Sequence, residues 1–298
     1  MATHIATDRR SNLIGSGWMV AAMACFAIED AFIKTAAATL PPAQILILFG
    51  FGGAAVFAIL ARAKGEPLYS RDVLSRPMRI RAGFEIVGRL FYGLAVALTP
   101  LSSATVILQA APLVVVAGAA LVFGERVGWR RWTAIFLGMT GVVIILQPGA
   151  DSFSWLSILA VLGMLGFAGR DLASRAAPAS LSARVLGVYG FLAIAVAGAL
   201  YAPFEQAAFL WPQGDAVWAL IGATLSGVVA YQSLMIAMRT GEVSAVTPFR
   251  YTRLLFGVGL GVVIFGETLS LSTLLGSGLI VMSGLFILWR GQGAKDRR

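Results

Sequence analysis

A chain of 298 residues that is 58% hydrophobic and 12% charged, with a mean hydropathy of +0.84, has about half the charge of a soluble domain. It reads as a polytopic membrane protein. Its net charge of +9 would suit nucleic acid, but the basic residues lie in joints between apolar segments, which argues against nucleic acid as a partner. One cysteine, Cys25, and one histidine, His4, argue against a disulfide framework, a His/Cys metal site or a Ser-His-Asp triad, so no catalytic residue, metal or cofactor is expected.

A helix of about 20 apolar residues crosses a bilayer core of about 30 Å. By that measure the chain holds about ten spans, at 13–38, 43–62, 80–98, 101–123, 129–147, 154–174, 184–203, 214–237, 243–265 and 271–290. The first follows Arg9-Arg10 and is too long for the core of a cleaved signal. Alternate joints then carry arginine and lysine, from Arg62 to Arg81, Arg126 to Arg131, Arg170 to Arg184 and at Arg239. The intervening joints, TLPPAQ, TPLSS, QPGADSFS, PFEQAAFLWPQGD and GETLS, contain none. By the positive-inside rule both termini are expected in the cytoplasm, with tails 1–12 and 291–298. Trp18, Trp155, Trp211, Trp218 and Trp289 fall near span ends, where an aromatic belt is the default.

Four basic residues break the sorting: Lys34, Arg89, Arg250 and Arg253. Lys34 is near the outer end of its span and can snorkel. A guanidinium at membrane depth costs at least about 2.5 kcal/mol and usually faces a partner or a water-filled cavity. Arg89, Arg250 and Arg253 are therefore candidates for holding a substrate carboxylate; if instead Arg250 and Arg253 only neutralise acids, Glu85 and Glu29 are the main candidates. Pro248 removes a backbone donor and should loosen the start of their span. Glu85 and Arg89 sit one turn apart, and Tyr92 follows on the same side. Asp30 with Lys34, and Asp171 with Arg175, form similar i,i+4 pairs, read either as anchors at the interface or as gate charges. Glu29 points about 100° away from Asp30 and is a proton or amino-group candidate, as is Glu85. Tyr92, Tyr231 and Tyr251 are candidates for an aromatic or apolar substrate side chain, and Gln109 and Tyr231-Gln232 can bind substrate or join helices.

The chain repeats itself. Phe26 to Ala36 and Phe167 to Ala177 both read FAxxDxxx[KR]xA, Phe49-Gly50-Phe51 recurs as Tyr189-Gly190-Phe191, and Phe123-Gly124-Glu125 as Phe265-Gly266-Glu267. Halves 13–147 and 148–290 thus hold five spans each. An odd number makes the second half enter from the opposite side, the inverted repeat of secondary transporters, with the substrate near the midplane. Glu125 is then expected at the inner face and Glu267 at the outer.

The stretches SSATVILQAAPLVVVAGAALVFGE and SAVTPFRYTRLLFGVGLGVVIFGE, each ending in FGE, resemble the drug/metabolite transporter superfamily in its EamA-type branch. Within it the chain is similar to the bacterial YddG-type exporters of aromatic amino acids. One departure is that no proline in the second half matches Pro112, since Pro248 comes earlier. The resemblance implies an all-helical carrier of the bacterial inner membrane with its cavity between the halves. The expected partners are a small-molecule substrate and the lipid bilayer, and monomer or homodimer is left open. The reading is secondary-active export of aromatic or other neutral amino acids by alternating access. A proton-coupled exporter of organic cations is the alternative, although Arg250 and Arg253 weigh against it. An integral-membrane transferase is a remote third, since neither a DDxxD cluster nor a nucleophile with its base is visible.

Overall fold

The structure, a computed structural model, describes residues 9–123, 128–147, 154–174, 180–240 and 246–293. Among these residues there are helices and no strands. In chain order they are α1 (Arg9–Ala36), α2 (Pro42–Ala63), a 3-10 turn (Arg71–Leu74), α3 (Arg76–Leu98), α4 (Leu101–Leu108), α5 (Ala111–Phe123), α6 (Trp129–Leu146), α7 (Ser157–Ser174), α8 (Ala183–Glu205), α9 (Asp215–Thr240), a 3-10 segment (Thr247–Tyr251), α10 (Thr252–Phe265) and α11 (Leu271–Gly293). Seven segments are long and apolar enough to cross a membrane, α4 with α5 and the 3-10 segment with α10 each counting as one. Two shorter apolar helices, Trp132–Leu146 and Leu271–Phe286, and the charge-bearing α3 complete ten spans. The face where α1 begins is here the N-terminal face, and α1 ends at the far face.

The expected continuous helix at 101–123 is interrupted. α4 stops at Leu108 and α5 starts at Ala111. Pro112 has no N–H to offer the carbonyl of Leu108, which removes one bond of the α-helical ladder and permits the break there. The ninth span likewise opens as a 3-10 segment holding Pro248 at its first turn. The two prolines are not equivalent, yet the interruptions meet in the repeat register. Gln109 donates from Nε2 to the carbonyl of Arg250 at 3.0 Å, across a separation of 141 residues, which is the repeat offset.

Every span packs chiefly on the other half: α1 on α9, α2 on α8, α3 on α7 and α6 on α11, with α10 against α1 and α4, and α4 with α5 against α7 and α10. Exchanging the halves maps this list onto itself, as a two-fold relating inverted repeats requires. With little hydrophobic drive between helices in lipid, close contact needs small residues. A Cβ on Gly166 of α7 would lie 2.4 Å from the backbone nitrogen of Gly88 on α3, and one on Gly50 of α2 would lie 2.4 Å from that of Ala195 on α8.

Side chains tie the halves at both ends of the α2–α8 pair. At the far face Glu205 accepts from the Ala43 N–H at 3.0 Å, and Gln44 exchanges hydrogen bonds with the backbone of Leu210 at 2.5 and 2.8 Å. At the N-terminal face Glu66 accepts from Ser182 at 2.7 Å and Arg184 at 2.5 Å, and Ser180 donates to Asp72. Trp18, Trp155, Trp211 and Trp218 are exposed near span ends, where the belt reading places them. The side chain of Trp289 lies outside the described residues.

Candidate substrate site

α3 carries charge on the face it buries. Arg81, Glu85, Arg89 and Tyr92 follow one another at steps of four, four and three, which puts them on one stripe, and that stripe faces α1 and α7. Glu85, 2% exposed, is the hub. Its carboxylate meets Arg81 at 3.4 Å, Arg89 at 3.3 Å and Arg170 of α7 at 3.3 Å. Three guanidinium groups thus share one carboxylate. The ring of Phe167 underlies two of them, with the guanidinium carbons of Arg89 and Arg170 at 5.5 and 4.8 Å from its centroid.

From this hub two arms extend. Toward the far face, Arg89 also reaches Glu29 of α1 at 3.3 Å. The next residue, Asp30, accepts from Arg253 of α10 at 2.6 Å and from the Tyr92 hydroxyl at 3.0 Å. Arg253 lies between the rings of Phe26 and Tyr92, 5.1 and 5.5 Å away. Toward the N-terminal face, Arg170 binds its neighbour Asp171 at 2.8 Å, and Asp171 meets Arg250 at 3.8 Å. The last contact is the loosest of the network, with side-chain exposures of 32% for Arg250 and 28% for Asp171. Arg81, Arg89, Arg170, Arg250 and Arg253 face Glu29, Asp30, Glu85 and Asp171, so among the described residues the ionised cluster has an excess of one positive charge.

A cavity of about 10 Å³ adjoins the far arm, lined by Glu29, Asp30, Arg89, Tyr92 and Phe49 among others. That is the size of one water molecule. A metabolite needs roughly 300 Å³ or more, so a substrate can reach this depth only when the halves move.

The far face above the cavity is closed. Gly266 takes a left-handed conformation, φ 62°, which ends α10 and turns Glu267 back toward α4, its own N–H bonding the Gly261 carbonyl at 3.0 Å. The Glu267 carboxylate then accepts from the N–H groups of Leu101 and Ser102 at 2.6 and 2.9 Å, capping α4. Lys34 approaches the same carboxylate at 3.8 Å and donates to the Thr99 carbonyl at 2.6 Å. This gives the second FGE a physical role: glycine permits the turn and glutamate caps the helix of the other half.

A family model described as the EamA-like transporter family matches the chain twice, over residues 13–147 and 154–289. The chain belongs to this family. A riboflavin transporter of Rhizobium johnstonii is 27% identical over 311 residues, covering 99% of this chain and 97% of the relative. The pseudopaline exporter CntI of Pseudomonas aeruginosa is 30% identical over 290 residues, covering 91% and 95%. An S-adenosylmethionine uptake transporter of Rickettsia felis is 28% identical over 207 residues, covering 70% and 69%. A solved crystal structure shares the fold with a TM-score of 0.58 and 23% identity over 92% of this chain and 95% of that one. The chain is thus a multi-pass small-molecule transporter, and the names in its family point to carriers rather than enzymes.

In this EamA-type chain the sequence-predicted residues Glu29, Glu85, Arg89, Tyr92, Arg250 and Arg253 converge on one network. Some pairings differ from expectation. Asp30 does not pair with Lys34; it is buried against Arg253 and Tyr92, while Lys34, a turn nearer the far face, reaches Glu267. Arg250 and Arg253 meet Asp171 and Asp30, not Glu85 and Glu29, because the carboxylates nearest the start of their span belong to those aspartates. Arg175 and Glu125 lie outside the described residues. Among the described residues Asp171 meets Arg170 and Arg250. Gln109 holds the Arg250 carbonyl. Tyr231 packs its ring on Phe57 at 5.4 Å, Gln232 is half-buried on α9, and the Tyr251 ring is buried toward Gly284 of α11, where an added Cβ would collide with its hydroxyl.

Arg81 and Arg170 were counted among the joint residues, yet both lie inside helices and hold Glu85. The repeat carried a signal for Arg170: it occupies the position of Glu29, beside the shared aspartate, so the second half places a base where the first has an acid.

Proposed function

We propose that this transporter exports α-amino acids with neutral, often aromatic, side chains across the bacterial inner membrane by alternating access, and that Arg250 and Asp171 receive the amino-acid headgroup. The carrying observation is the slack in that pair: 3.8 Å apart and each about a third exposed, two opposite charges stand ready without satisfying one another. An α-amino acid bears a carboxylate and an ammonium on a single carbon, so one headgroup can answer both. Guanidinium suits a carboxylate bidentately, and the excess positive charge of the network favours it further. The 3-10 segment supports the site, since a broken helix at the repeat interface is where such carriers hold substrate. Positive-inside sorting supports a cytoplasmic N-terminal face. The slack pair then loads from the cytoplasm while Glu267 caps the far side, which is the geometry of an exporter before its turn.

The test is counterflow of labelled L-phenylalanine in proteoliposomes. Wild-type protein is expected to exchange it. Arg250→Gln is expected to abolish exchange while the protein remains monodisperse. Wild-type activity in that variant removes Arg250 from the site, and exchange of an organic cation in place of any amino acid overturns the substrate class.

A further inference from the structure

Glu29 is the acid of the network with a buried oxygen left unpartnered, as Nε of Arg253 is among its bases. It is 1% exposed, and its Oε1 meets Arg89 at 3.3 Å, yet Oε2 has no hydrogen-bond partner among the described residues. Glu29 also lines the water-sized cavity with Asp30, Arg89 and Tyr92. Room for Oε2 exists because α9 carries glycine at 227, where a Cβ would stand 2.9 Å from that oxygen. A buried carboxylate oxygen without a donor carries a large desolvation cost, and two events relieve it: a water enters or a proton binds.

We infer that Glu29 is a proton-binding site whose occupancy is communicated to the headgroup pair, so that proton and amino acid occupy the carrier alternately. This rests on the reading of Arg250 and Asp171 above. The groups facing Glu29 make it suited to the task. On α1 they are Asp30 and, one turn back, Cys25; on α3, Arg89; on α10, Arg253. From α9 comes Gly227, with Tyr231 a turn further on toward Glu85, and from α2 the ring of Phe49. Asp30 is already committed to Arg253 and Tyr92, and Glu85 to three arginines. Glu29 can lose its charge without stranding a cation, because Arg89 keeps Glu85 at 3.3 Å and the Phe167 ring.

The relay follows from one shared atom. Arg89 and Arg170 both donate to Oε1 of Glu85. A proton arriving at Glu29 Oε2 adds one O–H bond and removes one negative charge, and Arg89 shifts wholly onto Glu85. Arg170 then yields that oxygen and closes on Asp171, which it already holds through Nε at 3.0 Å and Nη2 at 2.8 Å. Asp171 so engaged is lost to the substrate ammonium. Protonation weakens amino-acid binding and amino-acid binding expels the proton to the same degree, as linkage requires, so the two ligands alternate on the carrier.

Two measurements separate this proposal from the substrate reading. The first uses no amino acid: infrared difference spectra of purified protein in lipid, titrated from alkaline to acid pH. A protonated-carboxyl C=O band is expected in wild type, absent in Glu29→Gln and restored at a displaced pH in Glu29→Asp. No such band in wild type, or an unchanged band in Glu29→Gln, overturns the proton site whatever the substrate proves to be. The second is L-phenylalanine binding across the same pH range. Affinity is expected to fall by about fivefold or more on acidification, the lower end of ordinary site-to-site coupling, and to be pH-independent and weak in Glu29→Gln. The band together with pH-independent binding in wild type overturns the relay. Absence of L-phenylalanine binding at every pH, with the band present, overturns the relay to an amino-acid headgroup and leaves Glu29 as the proton site.

Discussion

Asp30 and Asp171 hold the same position in the two repeats, 141 residues apart, and their environments differ sharply. Asp30 takes a 2.6 Å bond from Arg253 and another from Tyr92, with side chains 3% and 13% exposed for the ion pair. Asp171 stands 3.8 Å from Arg250 and is open on that side. Inversion sets Asp30 toward the far face and Asp171 toward the N-terminal face. Equivalent charges thus meet the arginines of the ninth span in a tight, buried contact on one side and in a looser, partly exposed one on the other. Two equivalent aspartates in unlike surroundings fit alternating access, in which rocking of the halves changes the side of opening.

The comparison breaks most readily at its tight end. Asp30→Asn leaves Arg253 buried without a counter-charge, and removing one partner of a buried pair costs about 3–5 kcal/mol. Most of the folded fraction should be lost, read as melting temperature by fluorescence-detected size exclusion; wild-type melting would show that this pair is no lock. Gly166→Ala acts on the scaffold beneath both arms. Its Cβ would sit 2.4 Å from the Gly88 nitrogen, and overpacking of this kind costs about 1–3 kcal/mol. Melting should fall, and transport should fall with it as α3 is pushed from α7.

Glu267→Gln keeps an acceptor but loses the charge shared with Lys34 and the α4 cap. A lost cap costs about 1 kcal/mol. The sharper readout is access: in a Cys25→Ser background, a cysteine at Val96, which lines the cavity, should react faster with an impermeant maleimide added at the far face. Unchanged labelling would place the far-face closure elsewhere. The smallest stability effect belongs to Arg250→Gln, under about 1 kcal/mol for so exposed a pair, although transport should vanish. Stability and activity are therefore expected to part at the two aspartates.

Much of the fold was legible in the chain. Span limits such as 43–62 and 184–203 differ by a residue or two from Pro42–Ala63 and Ala183–Glu205, because apolar length against a membrane is a strong constraint. The interruption at Gln109 and Ala110 was not read, although Pro112 was in view, since a proline in a span only permits a break and neighbouring helices decide it. The depth of Arg89, Arg250 and Arg253 singled out residues that the fold brings into one ion-pair network. It did not give their partners: i,i+4 spacing favoured Asp30 with Lys34, but spacing describes only what one helix can offer itself.

Composition, the sorting of arginines by loop and the repeated FAxxDxxx and FGE patterns determined a ten-span carrier in two related halves. They could do so because a bilayer penalises every misplaced charge and every unpaired backbone group, which writes topology into local sequence. Which cation meets which carboxylate, that Glu85 is a hub, that Glu29 Oε2 stands alone and that one end is tight while the other is slack were decided only when helices distant in the chain came together. Ion pairs between helices depend on rotation and depth at distances of 3 to 4 Å, and no single helix contains that information.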